Sequence, residues 1–107
     1  MSGVTKHIFE HELDDILSMW NTEIKSVTPL LPRKYTKADI IALLKYYYPH
    51  EWQSVESKYK YYRTKDKYLK RRFGKSRYNM SEPELLIQRV SAFKKIFSES
   101  YKCAHWN

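Results

Sequence analysis

Hydrophobic residues recur every three or four positions along most of the chain, which is the spacing of one face of an α-helix. In the first such segment, residues 5–25, apolar and polar side chains fall on opposite sides of a predicted helix. The apolar side consists of Phe9, Leu13, Ile16, Leu17, Trp20 and Ile24. The polar side consists of His11, Asp14, Asp15, Ser18 and Thr22. The pattern therefore predicts an amphipathic helix with an acidic outer side.

Prolines and capping residues predict where two further helices begin and end. Two prolines after the first segment interrupt helical structure, because each lacks a backbone donor and disfavours helical geometry in the residue before it. A second helix is expected at residues 37–48, with Thr36 as its N-cap. Pro49 should end that helix and begin a third one at residues 49–73. Gly74 should end the third helix in a left-handed conformation.

A fourth helix is expected at residues 82–104. Ser81 is its predicted N-cap, Pro83 lies in its first turn and Glu84 occupies the capping-box position. Its core-facing stripe consists of Leu86, Val90, Phe93, Phe97 and Tyr101. No strand-like alternation rises above this helical pattern. The expected fold is therefore all-α, a compact bundle of about four helices in a single domain spanning residues 1–107.

The net charge of +8 is concentrated in one part of the sequence. Ten Lys and Arg residues and one acid, Asp66, lie between Lys58 and Arg77, so this segment carries +9 and the rest of the chain about −1. Such an excess favours a polyanionic partner. A chain of 107 residues leaves no room for a two-domain enzyme, and two glycines leave none for a glycine-rich nucleotide loop. We therefore expect a protein without enzymatic activity and without a cofactor.

At 100° per residue, the third helix separates a core side from a basic outer side. The core side consists of Val55, Tyr59, Tyr62, Leu69 and Phe73. The outer side consists of Ser57, Lys60, Tyr61, Thr64, Lys67, Tyr68, Arg71 and Lys75. Phosphate oxygens accept hydrogen bonds from these residue types, and Arg and Tyr also stack on exposed bases. The predicted binding site comprises Lys60, Tyr61, Thr64, Lys67, Tyr68, Arg71, Arg72, Lys75 and Arg77.

Three interpretations of this basic surface remain open. The favoured one is binding of DNA or RNA, or of a protein–nucleic-acid complex, through phosphate contacts. Lys outnumbers Arg by 14 to 6, which favours point-charge contacts with phosphates over guanine readout. The second is an inhibitor or adaptor that docks its basic helix on an acidic surface of a larger protein. The third is a solvated face, and a membrane partner is not expected.

A helix-turn-helix reader formed by the second and third helices is disfavoured. Recognition helices present their N-terminal residues to base edges, and here that end carries Glu51 and Glu56. Acidic side chains would repel the phosphates there. We therefore expect recognition of the nucleic-acid backbone or shape.

Asp66 is unusual because helical phasing places it within the apolar side of the third helix. One interpretation is an ion pair with a neighbouring cation at the edge of the core. The other is a break in the helix near residues 63–66, with Asp66 as the N-cap of a second piece. Since Asp is a preferred N-cap residue, the sequence favours the break.

His7, Glu10 and His11 match the H-x-x-E-H pattern of some zinc peptidases, in which two histidines bind zinc and the glutamate is a general base. A catalytic zinc also needs a third protein ligand in a cleft, whereas this motif lies on the outer side of the first helix. A surface histidine pair is the favoured interpretation, adventitious metal binding with Asp14 or Asp15 is the intermediate one, and a zinc hydrolase is the weak alternative.

Localisation is predicted from three features. Cys103 is the single cysteine and has no intramolecular partner, which is typical of a reducing compartment. The first residues show no signal-peptide pattern. The most apolar run, residues 38–48, falls short of the ~20 residues that a membrane helix needs. We therefore expect a cytoplasmic protein.

Overall fold

The computed structural model describes the backbone of residues 2–97 and the side chains of residues 6–97. All regular structure in this part of the chain is helical, so the predicted all-α fold is confirmed. The α-helices are α1 (Ser2–Val27), α2 (Lys37–Tyr47), α3 (Pro49–Phe73), α4 (Pro83–Leu86) and α5 (91–97). Short 3-10 turns follow α1 and α4, at Thr28–Leu30 and Ile87–Arg89. Within the described residues, no helix has the length and apolarity needed to cross a membrane.

Helix α1 has the predicted amphipathic character. Its apolar stripe faces the core, with Leu13 and Leu17 half-buried and the other four residues buried. All five residues predicted for its polar side are exposed. Glu23 departs from the pattern, because it is a carboxylic acid with only 7% of its surface exposed.

The predicted caps of α2 and α3 are confirmed. The Thr36 hydroxyl accepts a hydrogen bond from the Asp39 N–H at 3.3 Å, and the Asp39 carboxylate accepts one from the Thr36 N–H at 2.8 Å. This reciprocal arrangement satisfies two backbone donors at the start of α2. Pro49 begins α3, and Gly74, with φ of 85°, ends it by donating its N–H to the Lys70 carbonyl at 2.9 Å.

Both interpretations of Asp66 are wrong. Helix α3 continues through residues 63–66, and no Lys or Arg in the described part of the chain forms an ion pair with this carboxylate. Asp66 Oδ1 instead accepts hydrogen bonds from the N–H groups of Arg77 and Tyr78, each at 2.9 Å. Its Oδ2 accepts one from the Asn79 N–H at 2.7 Å. The chain reverses after α3, which brings these backbone donors within reach of the carboxylate.

The single helix predicted at residues 82–104 is interrupted. Ser81 is not its N-cap, because α4 begins at Pro83 with Glu82 in the cap position and no side-chain capping bond. After the 3-10 turn, Val90 is extended, with φ of −72° and ψ of 132°. Helical structure then resumes in α5, while the remainder of the predicted helix, with Tyr101 and Cys103 among it, lies outside the described residues.

A tertiary contact accounts for the interruption. The Asn21 side chain of α1 accepts a hydrogen bond from the Ala92 N–H at 2.9 Å, which satisfies a free donor at the start of α5. Leu86, Ile87 and Val90, which lie directly before α5, are buried in the main core, each with no more than 1% of its surface exposed.

The described side chains form two hydrophobic cores. The main core joins α1, α2, the first turns of α3 and residues 86–96, and its largest pair is Trp20 and Trp52, with ring centroids 5.5 Å apart. The small core consists of the buried rings of Phe9, Tyr62 and Tyr78. Helix α3 is thus packed near its start by one core and near its middle by the other.

Candidate functional site

The outer side of α3 carries seven of the nine predicted binding residues, and the other two, Lys75 and Arg77, follow directly after the helix. We call the nine of them the basic face, and eight are exposed, while Arg77 is half-buried in the segment that returns after α3. The exposed members are Lys60, Tyr61, Thr64, Lys67, Tyr68, Arg71, Arg72 and Lys75. Helical periodicity therefore gave the correct orientation of this surface.

The opposite side of α3 follows the prediction over most of its length. Val55 and Tyr62 are buried, and Tyr59 and Leu69 are half-buried. The prediction for Phe73 is wrong, because 63% of its surface is exposed. No residue of α3 after Tyr62 is fully buried, so the helix extends past the part of the core that would cover this ring.

The small core fixes the middle of α3 against α1. The Phe9 ring lies edge-on to Tyr62 and Tyr78, with centroid distances of 4.6 and 5.1 Å. The Tyr62 hydroxyl donates a hydrogen bond to Glu12 Oε2 at 3.0 Å. Burial, followed by this hydrogen bond and the negative charge of Glu12, raises the pKa of Tyr62 well above its usual range. Tyr62 is therefore a neutral donor that holds α3 in register with α1.

Most cations between Lys58 and Arg77 have no carboxylate partner within the described residues. The exception is Lys58, whose Nζ lies 3.3 Å from Glu12 Oε2. Asp66 is the one acid of this segment, and its oxygens accept from backbone N–H groups. The basic face therefore keeps a concentrated positive potential at its surface.

An alternating row of rings and cations runs along this side of α3. Tyr61, Lys65, Tyr68 and Arg72 are separated by four, three and four residues, which places them on one side of the helix. We call these four residues the ring–cation stripe. Tyr61 and Tyr68 are 56% and 54% exposed, and Lys65 Nζ lies 5.2 Å from the Tyr61 ring centroid. Sequence reasoning missed Lys65, although its spacing from Tyr61 indicates the contact.

An open groove lies beside the stripe, between α1 and α3. Sequence reasoning missed it because it combines residues about 50 positions apart in the chain, as in the contact of Glu12 with Tyr62. Hydroxyl groups, cations and a carboxylate converge there, so the groove offers both donors and acceptors. Its lining residues are Ile8, Glu12, Ser54, Ser57, Lys58, Tyr61, Tyr62 and Lys65.

The histidine motif lies apart from the basic face, on α1. His7 and His11 are exposed, and His11 Nε2 is 3.8 Å from Asp15 Oδ2. In the part of the chain that the structure describes, no three metal-ligating side chains lie close enough together to hold an ion.

Glu23 is a second feature that the sequence did not indicate. Burial, with a smaller contribution from the negative charge of Glu51, raises the pKa of Glu23 to about 7. Within the described structure, Glu23 Oε1 and the buried Trp52 Nε1 have no hydrogen-bond partner. The group is a buried carboxyl that is partly protonated near neutral pH.

Comparison with known proteins finds a similarity to part of a larger protein. Over 105 residues, the chain is 26% identical to a protein of Cytobacillus dafuensis named "Putative cyclic ADP-D-ribose synthase TIR2". The match covers 98% of this chain but spans only 28% of the length of that protein. No protein-family model and no solved structure matches the chain. The similarity corrects the expectation of a protein without enzymatic activity, since the similar protein is named as an enzyme.

Proposed function

We propose that the chain binds nucleic acid, alone or within a protein–nucleic-acid complex, mainly through phosphate contacts from the basic face. The observation that carries this proposal is the composition of one helix side. Seven exposed side chains, every one a hydrogen-bond donor and four of them cationic, lie on α3 with no carboxylate among them, and the exposed cation Lys75 follows directly after the helix. Phosphate oxygens accept from each of these residue types.

The chemistry of the cations favours affinity over sequence specificity. Four lysines and three arginines, counting the stripe residue Lys65, act along the surface that ends at Arg77. A Lys ammonium contacts phosphate as a point charge and seldom reads two acceptors of one base. Binding of this kind releases counterions, so the logarithm of affinity falls with the logarithm of salt concentration by about 0.7–0.9 per phosphate contact.

The test is a charge reversal with a matched control. The first variant combines Lys67→Glu, Arg71→Glu and Lys75→Glu, which reverses the charge of three exposed residues of the basic face. The control variant combines Arg33→Glu, Lys34→Glu and Lys94→Glu, which reverses the charge of three exposed residues outside the basic face. The net charge of the chain is therefore altered equally in the two variants. Binding of labelled DNA and RNA is measured by fluorescence anisotropy at several salt concentrations, and circular dichroism checks the fold.

We expect the first variant to lose binding and the second to retain most of it. Affinity that does not change with salt, or equal losses in the two variants, would remove the phosphate-contact proposal. A pull-down from extract, with and without nuclease, separates the other partner class. A protein complex that survives nuclease, with no DNA or RNA bound at low salt, would favour docking of the basic face on an acidic protein.

A second candidate function is a role in the synthesis of cyclic ADP-ribose, and the similarity along nearly the whole chain favours it. Because the match spans 28% of the similar protein, the chain would correspond to one part of such an enzyme. The test is incubation of the chain with NAD⁺ and detection of cyclic ADP-ribose by mass spectrometry. Product formed by the purified chain supports the role, and no product above a heat-denatured control counts against catalysis by this chain alone.

We also infer a cytoplasmic location. The one cysteine of the sequence, Cys103, leaves no intramolecular disulfide, which fits a reducing compartment. Fractionation of the source cells, followed by immunodetection of the chain, tests this inference.

A further inference from the structure

We propose that the basic face prefers single-stranded over double-stranded nucleic acid, with bases stacked on Tyr61 and Tyr68. This inference rests on the proposed nucleic-acid binding and specifies its ligand. It comes from the ring–cation stripe, in which exposed tyrosine rings alternate with cations along one side of α3.

The geometry of the stripe suits an extended strand. Seven residues of helix separate the two tyrosines by about 10 Å, with Lys65 between them and Arg72 one turn after Tyr68. Successive bases of a single strand can stack on such rings while the cations contact the intervening phosphates. Base pairing and stacking in a duplex keep the faces of the bases inaccessible to side chains.

The exposure of the rings also favours this ligand. Each tyrosine of the ring–cation stripe has more than half of its surface exposed, whereas Tyr62, the residue next to Tyr61, is buried. Phe73, which is 63% exposed with the Arg72 guanidinium 5.7 Å from its ring centroid, adds a third accessible ring at the end of the helix. Contacts with phosphates would use the cations and the tyrosine hydroxyls but would not require exposed ring faces, and the ring of Phe73 has no hydroxyl to donate.

The groove between α1 and α3 gives one base further partners. Tyr61 forms part of its wall, and Ser54 and Ser57 supply hydroxyl groups that donate or accept hydrogen bonds. Lys58 and Lys65 line the same groove. A base stacked on Tyr61 would therefore have polar groups beside its edge and cations near its phosphate.

The experiment compares strands of equal length at one salt concentration. The probes are a labelled oligothymidylate and a labelled oligouridylate of about 15 nucleotides, and a DNA duplex of the same length. We expect both single strands to bind more tightly than the duplex. Tyr68→Ala should weaken single-strand binding roughly 5- to 100-fold and duplex binding by less than about twofold.

Two controls isolate the ring. Tyr68→Phe keeps the aromatic face and should retain single-strand binding. Tyr46→Ala removes a tyrosine on α2 that is 76% exposed and lies outside the basic face, so it should leave binding unchanged. Tyr68 is the principal test position because Tyr61 packs edge-on against Tyr62 at 5.1 Å and its replacement also disturbs that contact.

The outcomes separate this inference from the function on which it rests. Equal affinity for single strands and duplex, or no effect of Tyr68→Ala while the triple charge reversal abolishes binding, overturns the stacking inference and leaves the phosphate-contact proposal intact. Absence of binding to every probe at low salt overturns both.

Discussion

The carboxylate of Asp66 and the backbone N–H of Tyr78 are joined by a hydrogen bond of 2.9 Å across twelve positions of the chain. The neighbouring N–H groups of Arg77 and Asn79 donate to the same carboxylate. Asp66 therefore fixes the segment after α3 against the helix and holds Arg77 beside the rest of the basic face.

Loss of this carboxylate should destabilise the fold. In Asp66→Ala, three backbone donors lose a charged acceptor, and we expect the free energy of unfolding to fall by about 2–4 kcal/mol. Urea denaturation followed by circular dichroism measures the change. Asp14→Ala, at an exposed position of α1, should change it by less than about 0.5 kcal/mol. A loss no larger than that of the control would contradict the structural role of Asp66.

Glu23 should make stability depend on pH. Its pKa is raised from 4.5 to about 7 in the folded chain, so the folded state binds this proton more tightly than the unfolded state. The stabilising contribution is complete below about pH 4.5 and is lost as the pH rises through about 7. Glu23→Gln stays neutral at every pH. Its free energy of unfolding should therefore exceed that of the wild type by a margin that grows to as much as about 3 kcal/mol by about pH 8.

Urea denaturation of both proteins at about pH 5 and about pH 8 checks this expectation. Glu56→Gln, at an exposed position of α3, serves as the control and should differ little from the wild type at either pH. If the difference in the free energy of unfolding between Glu23→Gln and the wild type is the same at both pH values, burial of this carboxyl does not govern the pH response.

Asn21 should stabilise the start of α5. Its side chain caps the Ala92 N–H, so Asn21→Ala should lower the free energy of unfolding by about 1–2 kcal/mol, as for the loss of an N-cap. Thermal denaturation measures the effect. Thr22→Ala changes the adjacent exposed residue and is expected to shift stability by less than about 0.5 kcal/mol. Equal midpoints for the two variants would argue against this capping contact.

Phe9 should be important for the small core. Phe9→Ala removes the ring that contacts both Tyr62 and Tyr78, and a loss of about 3–5 kcal/mol is expected because a cavity remains. The matched variant is Ile8→Ala, whose side chain is 50% exposed and should cost about 1 kcal/mol or less. Urea denaturation midpoints are compared between the two variants. A midpoint of Phe9→Ala no lower than that of Ile8→Ala would contradict a packed small core.

Local sequence signals predicted the parts of the structure that depend on neighbouring residues. Periodicity or capping chemistry within a few positions accounts for four of these parts. They are the apolar side of α1, the Thr36 cap, the end of α3 at Gly74 and the orientation of the basic face. The failure at Phe73 shows the limit of periodicity, because phase gives the direction of a side chain but not whether another element covers it.

Contacts between distant residues account for the features that the sequence did not predict. The backbone donors that bind the Asp66 carboxylate lie 11 to 13 positions further along the chain, and Asn21 caps a residue 71 positions away. Neither distance has a local signature. The groove beside Tyr61 was missed for the same reason, since it exists only once α1 packs on α3.

The division of α3 between two cores has a consequence for its hydrogen-exchange behaviour. Trp52 and Val55 are buried in the main core, whereas Tyr62 belongs to the small one and no later residue of the helix is fully buried. The C-terminal half can therefore open without unfolding the main core, and its amide hydrogens should exchange at a lower opening free energy than those near Val55. The surface that we propose as the nucleic-acid contact is then the least protected part of the helix, so binding as proposed should slow hydrogen exchange there.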